Sequence, residues 1–241
     1  MRPVAPVAPV LALAEDGDIE GLRSLLDSGE GVPKMLRTTD EDQRTALHRA
    51  CAKGHGGIVA LLVASGAEVN TADDEGWTPL HSSASIGDDA LVATLLAAKA
   101  AADEVTSSGA TALHFAASKG HMATASQLLE NGCKRNVRDR RGGTALHRAV
   151  GCGREKMVAL LLEAKADVKA KDSAGDNALH VAINGQHVET CAVLFAVDEA
   201  QDLMLKENGD GKTPAQLLLD LQPMEVRDTI RSIWRDKQVV G

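Results

Sequence analysis

The sequence predicts an all-α solenoid of seven stacked helix-turn-helix repeats with finger loops, and three observations carry that prediction. A Thr-x-Leu-His tetrad returns at Thr45, Thr78, Thr111 and Thr144, then as Asn177-Ala178-Leu179-His180, at an unbroken spacing of 33 residues. A fixed period of this length marks a chain assembled from one supersecondary unit at a time. Ala and Leu supply most of the apolar share. Tyr is absent, and Trp77, Phe115, Phe195 and Trp234 are the only aromatic residues. That composition suits close helix packing and poorly suits a β-sandwich, so almost no regular strand is expected. Polar segments recur between the helical stretches, with Gly76, Gly109, Gly142, Gly175 and Gly211 each two residues before the tetrad position. A left-handed backbone or a close approach is expected there.

The units follow in order. A capping unit is expected at 10–42, where Leu11, Leu22 and Leu25-Leu26 stand for degenerate helices. Full units follow at 43–75, 76–108, 109–141 and 142–174, a longer one at 175–210 and a closing one at 211–241. In each, the Thr caps the first helix, and Pro79 and Pro214 tolerate its first turn because their missing N–H has no partner there. An Ala-rich helix, a Gly-His step and a Leu-Leu pair complete the unit, as in Ala116-Ala117-Ser118-Lys119-Gly120-His121 through Leu128-Leu129. One such unit cannot bury its apolar face alone, so stacking makes residues 1–241 a single elongated domain. The first unit carries about four extra residues, most simply in Ser28-Gly29-Glu30-Gly31-Val32-Pro33, and the sixth carries three before Thr213. Both fall where a helix pair hands over to the next turn, where added length costs little. The last unit carries Gln216 in place of the His and ends in Val226, Ile230, Ile233 and Trp234 at helical spacing, as a terminal cap does.

At this period, with this tetrad, the chain resembles the ankyrin-repeat family, whose members are binding surfaces rather than catalysts. Composition points the same way. The net charge of −8 is unevenly placed: residues 1–120 hold 9 Lys/Arg against 17 Asp/Glu, and residues 121–241 hold 17 of each. Without a net basic face to displace counterions from phosphates, nucleic acid is not the expected partner; a protein with its own charge pattern is. Cys51, Cys133, Cys152 and Cys191 form no close pair and read as buried or half-buried thiols of a reducing compartment. Pro3, Pro6 and Pro9 break the apolar start, and Leu11-Ala12-Leu13-Ala14 leads into structural helices, so no signal peptide is expected. No apolar run approaches the ~20 residues needed to span a bilayer.

All eight histidines fall on repeat positions: five close the tetrad, and His55, His121 and His187 follow seven residues later. Equivalent positions of stacked units lie one repeat apart in a row and do not converge as metal or catalytic groups do. Each ring is therefore expected to bond backbone within or between repeats, with no cofactor, no metal and no catalytic residue. Gly142-Gly143 and Gly151-Cys152-Gly153 lack the Lys-Ser/Thr ending of a phosphate loop. The candidate recognition residues lie on the fingers. Asp42, Asp73 and Asp74 make the first two acidic, and Arg138, Arg140 and Arg141 make the fourth basic. Trp77 stands where other units carry Arg44, Ala110, Gly143, Asp176 and Lys212, and reads as an aromatic anchor facing a partner.

The stretches Asp40 to His48, Asp73 to His81 and Thr111 to Lys119 are similar to the gankyrin family, on the non-consensus residues Arg44, Trp77 and Lys119 and the acidic-to-basic order. That resemblance implies a non-enzymatic assembly chaperone of the proteasome regulatory particle, cytoplasmic and nuclear, monomeric when free. Its concave face would grip the C-terminal domain of a base ATPase subunit. The implied contacts are Asp42, Arg44, Asp74, Trp77 and Lys119. Two departures stand out. Arg49 replaces a second interface Trp of the animal proteins, and Leu179 to Gly185 lacks the Leu-x-Cys-x-Glu of their retinoblastoma-binding motif. An adaptor or inhibitor of another protein, such as a kinase or transcription factor, is the alternative, since fold alone names no partner. A ligand pocket in the longer sixth unit, around Asp198 to Asp210, is a third reading.

Overall fold

A computed structural model describes residues 8–28 and 31–240, and its helices stand in two ranks. The inner rank is α1 (Pro9–Asp16), α4 (Ala46–Lys53), α6 (Pro79–Ile86), α8 (Ala112–Lys119), α10 (Ala145–Gly151), α12 (Ala178–Asn184) and α15 (Pro214–Asp220). The outer rank is α2 (Ile19–Asp27), α5 (Gly56–Ala64), α7 (Asp89–Ala97), α9 (Met122–Glu130), α11 (Glu155–Glu163), α13 (Val188–Leu194) and α16 (Met224–Val240). Each helix packs on its pair-mate and on the next helix of its own rank. Two short helices, α3 (Val32–Leu36) and α14 (Ala200–Leu205), occupy the places where the period lengthens. Among the described residues the only β pairing is an isolated bridge between Thr39 and Thr45.

The repeated Leu positions make one continuous core. Leu47, Leu80, Leu113, Leu146 and Leu179 of the inner rank, and Leu62, Leu95, Leu128, Leu161 and Leu194 of the outer, are each at most 1% exposed. Each contributes about 1.5–3 kcal/mol of transfer free energy. Ala50, Ser83, Ala116, Ala149 and Ala182 are fully buried at one shared position, where a small side chain lets neighbouring helices close up. At the C-terminal end Trp234 packs on Phe195 with ring centroids 4.8 Å apart, closing the core over Leu218 and Ile230.

The histidines join the repeats in two ladders that run in opposite directions. In the first, the backbone N–H of Thr45 donates to Nδ1 of His48 at 3.2 Å, which leaves the ring proton on Nε2 to donate to the Trp77 carbonyl at 3.0 Å. His81 reaches Glu104, His114 reaches Gly143, His147 reaches Asp176 and His180 reaches Lys212 in the same way. Each ring thus caps its own helix; His48, His114, His147 and His180 also bond the next unit, while His81 bonds Glu104 near the end of its own. In the second ladder His55, His121 and His187 bond backward, to the carbonyls of Glu15, Ser85 and Gly151. Burial favours the neutral form of four of these rings: it pushes the His81 imidazole down to about 4 and lowers His48, His114 and His147.

The fingers are zipped by one backbone bond per step: Asp74 N–H to Asp42 C=O, Ser107 to Glu75, Arg140 to Ser108, Ser173 to Arg141 and Gly209 to Ala174. Gly109 has φ +77°, and a Cβ there would lie 2.9 Å from the Arg140 nitrogen, so the residue meets both demands at once. Gly211 keeps a φ of +71° with nothing within 4 Å, since among the described residues no finger packs over it.

Two sequence expectations change, and part of a third lies outside the described residues. Cys51, Cys133 and Cys191 are buried but Cys152 is exposed, since it sits in the α10–α11 turn. The inserted stretch around Asp198 to Asp210 folds as α14, with Ala200, Leu203 and Met204 buried and Asn177 Nδ2 donating to the Leu203 carbonyl at 3.0 Å. Pro3 and Pro6, and Gly29 and Glu30 of the first insertion, lie outside the described residues.

Candidate protein-docking groove

Five of the six finger turns open with a residue whose side-chain oxygen accepts N–H groups of its own loop; the third opens on Thr106, whose hydroxyl pairs with that of Ser108 at 2.9 Å. Asp73 Oδ1 accepts the backbone N–H groups of Glu75 at 3.0 Å and Trp77 at 2.7 Å. Asp40, Asp139, Asp172 and Asn208 do the same for their loops. This side-chain mimic of a backbone turn fixes the finger and the entry to the next helix. Asp73, a candidate recognition charge from the sequence, therefore uses one carboxylate oxygen to build its own turn. Its recurrence with Asp40, Asp139 and Asp172 at the repeat period is the signal that marks it as scaffold.

Where the first two fingers meet the inner helices they leave an open groove of about 680 Å³. Glu15, Arg49 and Lys53 line it from the helices, and Asp42, Arg44, Asp73, Asp74, Glu75 and Trp77 from the fingers. An ion-pair network makes its floor. The Arg49 guanidinium bonds Glu15 and Asp40, the latter from Nη2 at 2.7 Å, while Arg44 reaches Asp40 at 3.0 Å and Asp42 at 2.6 Å. Lys53 lies 3.5 Å from Glu15. Burial pushes the Asp40 carboxyl up, but the Arg44 backbone N–H and the two guanidinium groups outweigh it and hold the group below the usual carboxylate range. The groove's cations are thus matched internally, and Asp74 and Glu75 remain exposed on its rim.

Trp77 is half-buried, not a free anchor. Its indole lies on Phe115 of the next repeat, centroids 4.4 Å apart, with His81 edge-on at 6.1 Å. The contact to Phe115 escaped the sequence because it joins residues from different units. Trp77 still lines the groove, so packing holds the ring rigid where a partner would meet it.

The other candidates lie elsewhere. Lys119, at the end of α8, is exposed and lines a separate hollow of about 300 Å³ with Arg154 and Lys156. Arg138 donates to the Lys171 carbonyl, and Arg140 and Arg141 have no ion-pair partner among the described residues. Asp139 beneath them is buried. Burial raises its carboxyl, but the Arg148 guanidinium, with Nε at 2.8 Å, and the loop N–H groups bring it below the usual range. The sequence reading missed Asp40, Glu15 and Arg49 as a network, because their pairing depends on how α1 stacks on α4.

A stacked two-rank solenoid with zipped fingers and a groove of non-repeated side chains is the architecture of a protein-interaction scaffold. The chain belongs to the ankyrin-repeat family: the pattern "Ankyrin repeats (3 copies)" matches residues 10–103 and 82–172. The human ASB11 ankyrin repeat domain is 26% identical, covering 94% of this chain and 98% of that one, with a TM-score of 0.79. The ankyrin repeat domain of Bcl-3, a member of the IkappaB protein family, is 24% identical over 94% of this chain and 99% of its own, with a TM-score of 0.78, a likeness of fold alone. Serine/threonine-protein kinase 12 of Arabidopsis thaliana is 44% identical over 61 residues, a stretch that is 25% of this chain and 12% of the kinase. The repeats form a protein-binding module.

Proposed function

We propose that the chain is a non-catalytic scaffold that takes a protein partner in the groove between the first two fingers and α1, α4 and α6. The observation that carries this reading is the gathering of a rigid indole and exposed carboxylates in one concavity, at positions the repeat does not dictate. The rim charges Asp74 and Glu75 favour a partner segment bearing Lys or Arg, and complementary charge of this kind sets orientation and on-rate. The resemblance to gankyrin makes the C-terminal domain of a proteasomal base ATPase subunit the first candidate, with assembly chaperoning as the role and Arg140 and Arg141 meeting its carboxylates. The second reading, an adaptor or inhibitor of another protein, is favoured by Arg49. That side chain is tied to Glu15 and Asp40, and makes the groove floor ionic where a second interface Trp was implied by the resemblance.

Affinity purification of the tagged chain, with Asp74→Lys as the paired control, tests both. An ATPase subunit and its base neighbours, lost in the variant, support the chaperone reading. Another partner lost in the variant supports the adaptor reading, and any partner held equally by both proteins removes the groove from the account.

A further inference from the structure

The edge of the solenoid formed by the turns between inner and outer helices carries a second feature, away from the groove. At the residue preceding each outer helix the chain has Asp18, His55, Asp88, His121, Arg154 and His187 in turn. The histidines bond the carbonyl one repeat back, and the aspartates accept an N–H of their own helix. Arg154 takes over the histidine's task. Its Nε donates to the Ser118 carbonyl at 3.2 Å, and its side chain lies across Gly120. The guanidinium is thereby fixed in direction while its two Nη groups stay uncommitted. Asp18 and Asp88 suit the positive end of a helix dipole and Arg154 does not, so helix stability gives no reason for a cation there.

Arg154 lines a hollow of about 300 Å³ together with Lys119, Lys156, Glu155, Gly120, Gly153, Met122 and Met157. Lys119, Arg154 and Lys156 are exposed, and among the described residues none has a carboxylate within ion-pairing distance, in contrast to Arg37, Arg44, Arg49 and Lys53 of the acidic half. Three cations against the one carboxylate of Glu155 leave the hollow two positive charges in excess. A phosphorylated serine or threonine carries about −1.5 to −2 at neutral pH, with three acceptor oxygens for a preset guanidinium and two mobile ammonium groups. A single carboxylate would neutralise only half the excess.

We propose that this hollow binds a phosphorylated serine or threonine side chain of a protein partner, with Arg154 as the fixed donor and Lys119 and Lys156 closing on the phosphate. The test uses the full chain and an oriented library of phosphoserine peptides, with its unphosphorylated twin, a glutamate-substituted version and inorganic phosphate as separate arms. Binding is followed by calorimetry and by amide shifts at Gly120 and Gly153. Arg154→His is the decisive variant, since histidine makes the same backbone bond in three other repeats; Lys156→Gln is the second. The expected result is binding of phosphopeptides alone, weakened at least 10-fold by Arg154→His and by Lys156→Gln, with an unchanged Tm. Equal binding of the glutamate peptides, inorganic phosphate binding as tightly as the peptides, unaltered affinity in both variants, or no phosphopeptide binding would each overturn it.

Discussion

The second and fourth fingers share a backbone and differ in almost everything that faces solvent. Both open on an aspartate that receives two loop N–H groups, both turn through a left-handed glycine, and each donates one backbone bond to the finger before it. Yet Asp74, Glu75 and Trp77 stand where Arg140, Arg141 and Gly143 stand two repeats later. Cations beside the second finger are matched by Asp40, Asp42 and Glu15, whereas Arg140 and Arg141 of the fourth have no carboxylate partner among the described residues. The scaffold is therefore indifferent to the two residues that follow each turn aspartate. Selection for a partner can act there at little cost in stability, while the periodic positions are fixed by the need to stack.

The sharpest way to break this separation is to remove a ladder histidine. His81→Ala leaves the Thr78 N–H and the Glu104 carbonyl without their bonds in a buried setting, and is expected to cost about 3 kcal/mol in urea denaturation. A loss below about 0.5 kcal/mol would mean the ladder is incidental.

Acid should reach the same rings by another route. The folded imidazoles of His48, His81, His114 and His147 titrate below the unfolded value, so as pH falls the unfolded chain takes up protons first. Stability is full above about pH 6.5 and declines toward about pH 4; for His81, whose folded value is about 4, the loss is of order 3 kcal/mol. Denaturation midpoints measured across that window should fall with pH, and midpoints independent of pH between 6.5 and 4 would contradict the neutral ladder.

Within one finger, Asp73 and Asp74 should part company. Asp73→Lys removes two loop bonds and is expected to cost about 2 kcal/mol, whereas Asp74→Lys, whose side chain is exposed, should change stability by less than about 0.5 kcal/mol. Equal losses in thermal melts of the two variants would erase the distinction between turn and rim. The smallest effect separates the thiols: burial pushes Cys51, Cys133 and Cys191 up to about 12, so a thiol reagent under native conditions should modify Cys152 alone, and the others only after unfolding. Modification of two or more thiols in the native state, counted by mass, would contradict the packing.

The two ranks, the caps and the glycine turns were legible in the sequence because each obeys the repeat, and a rule that recurs at every unit needs no knowledge of the neighbour. The histidine ladders were legible only as backbone bonding, because periodicity reveals that a ring is structural but not which carbonyl it reaches. Trp77 on Phe115, Arg49 between Glu15 and Asp40, and Lys119 in its own hollow were not legible, since each depends on how one unit lies over the next. Asp73 differs again: its charge makes it a recognition candidate, and its recurrence as Asp40, Asp139 and Asp172 also marks it as turn chemistry.

Recognition by rim residues that the repeat does not use is tested most directly by the affinity of the purified partner for three proteins: the native chain, Asp74→Lys, and Ser173→Lys on the fifth finger. The expected result is a loss of about 2 kcal/mol, roughly 30-fold, for Asp74→Lys alone, at unchanged Tm. Equal affinity for all three, or an equal loss in both variants, would contradict it.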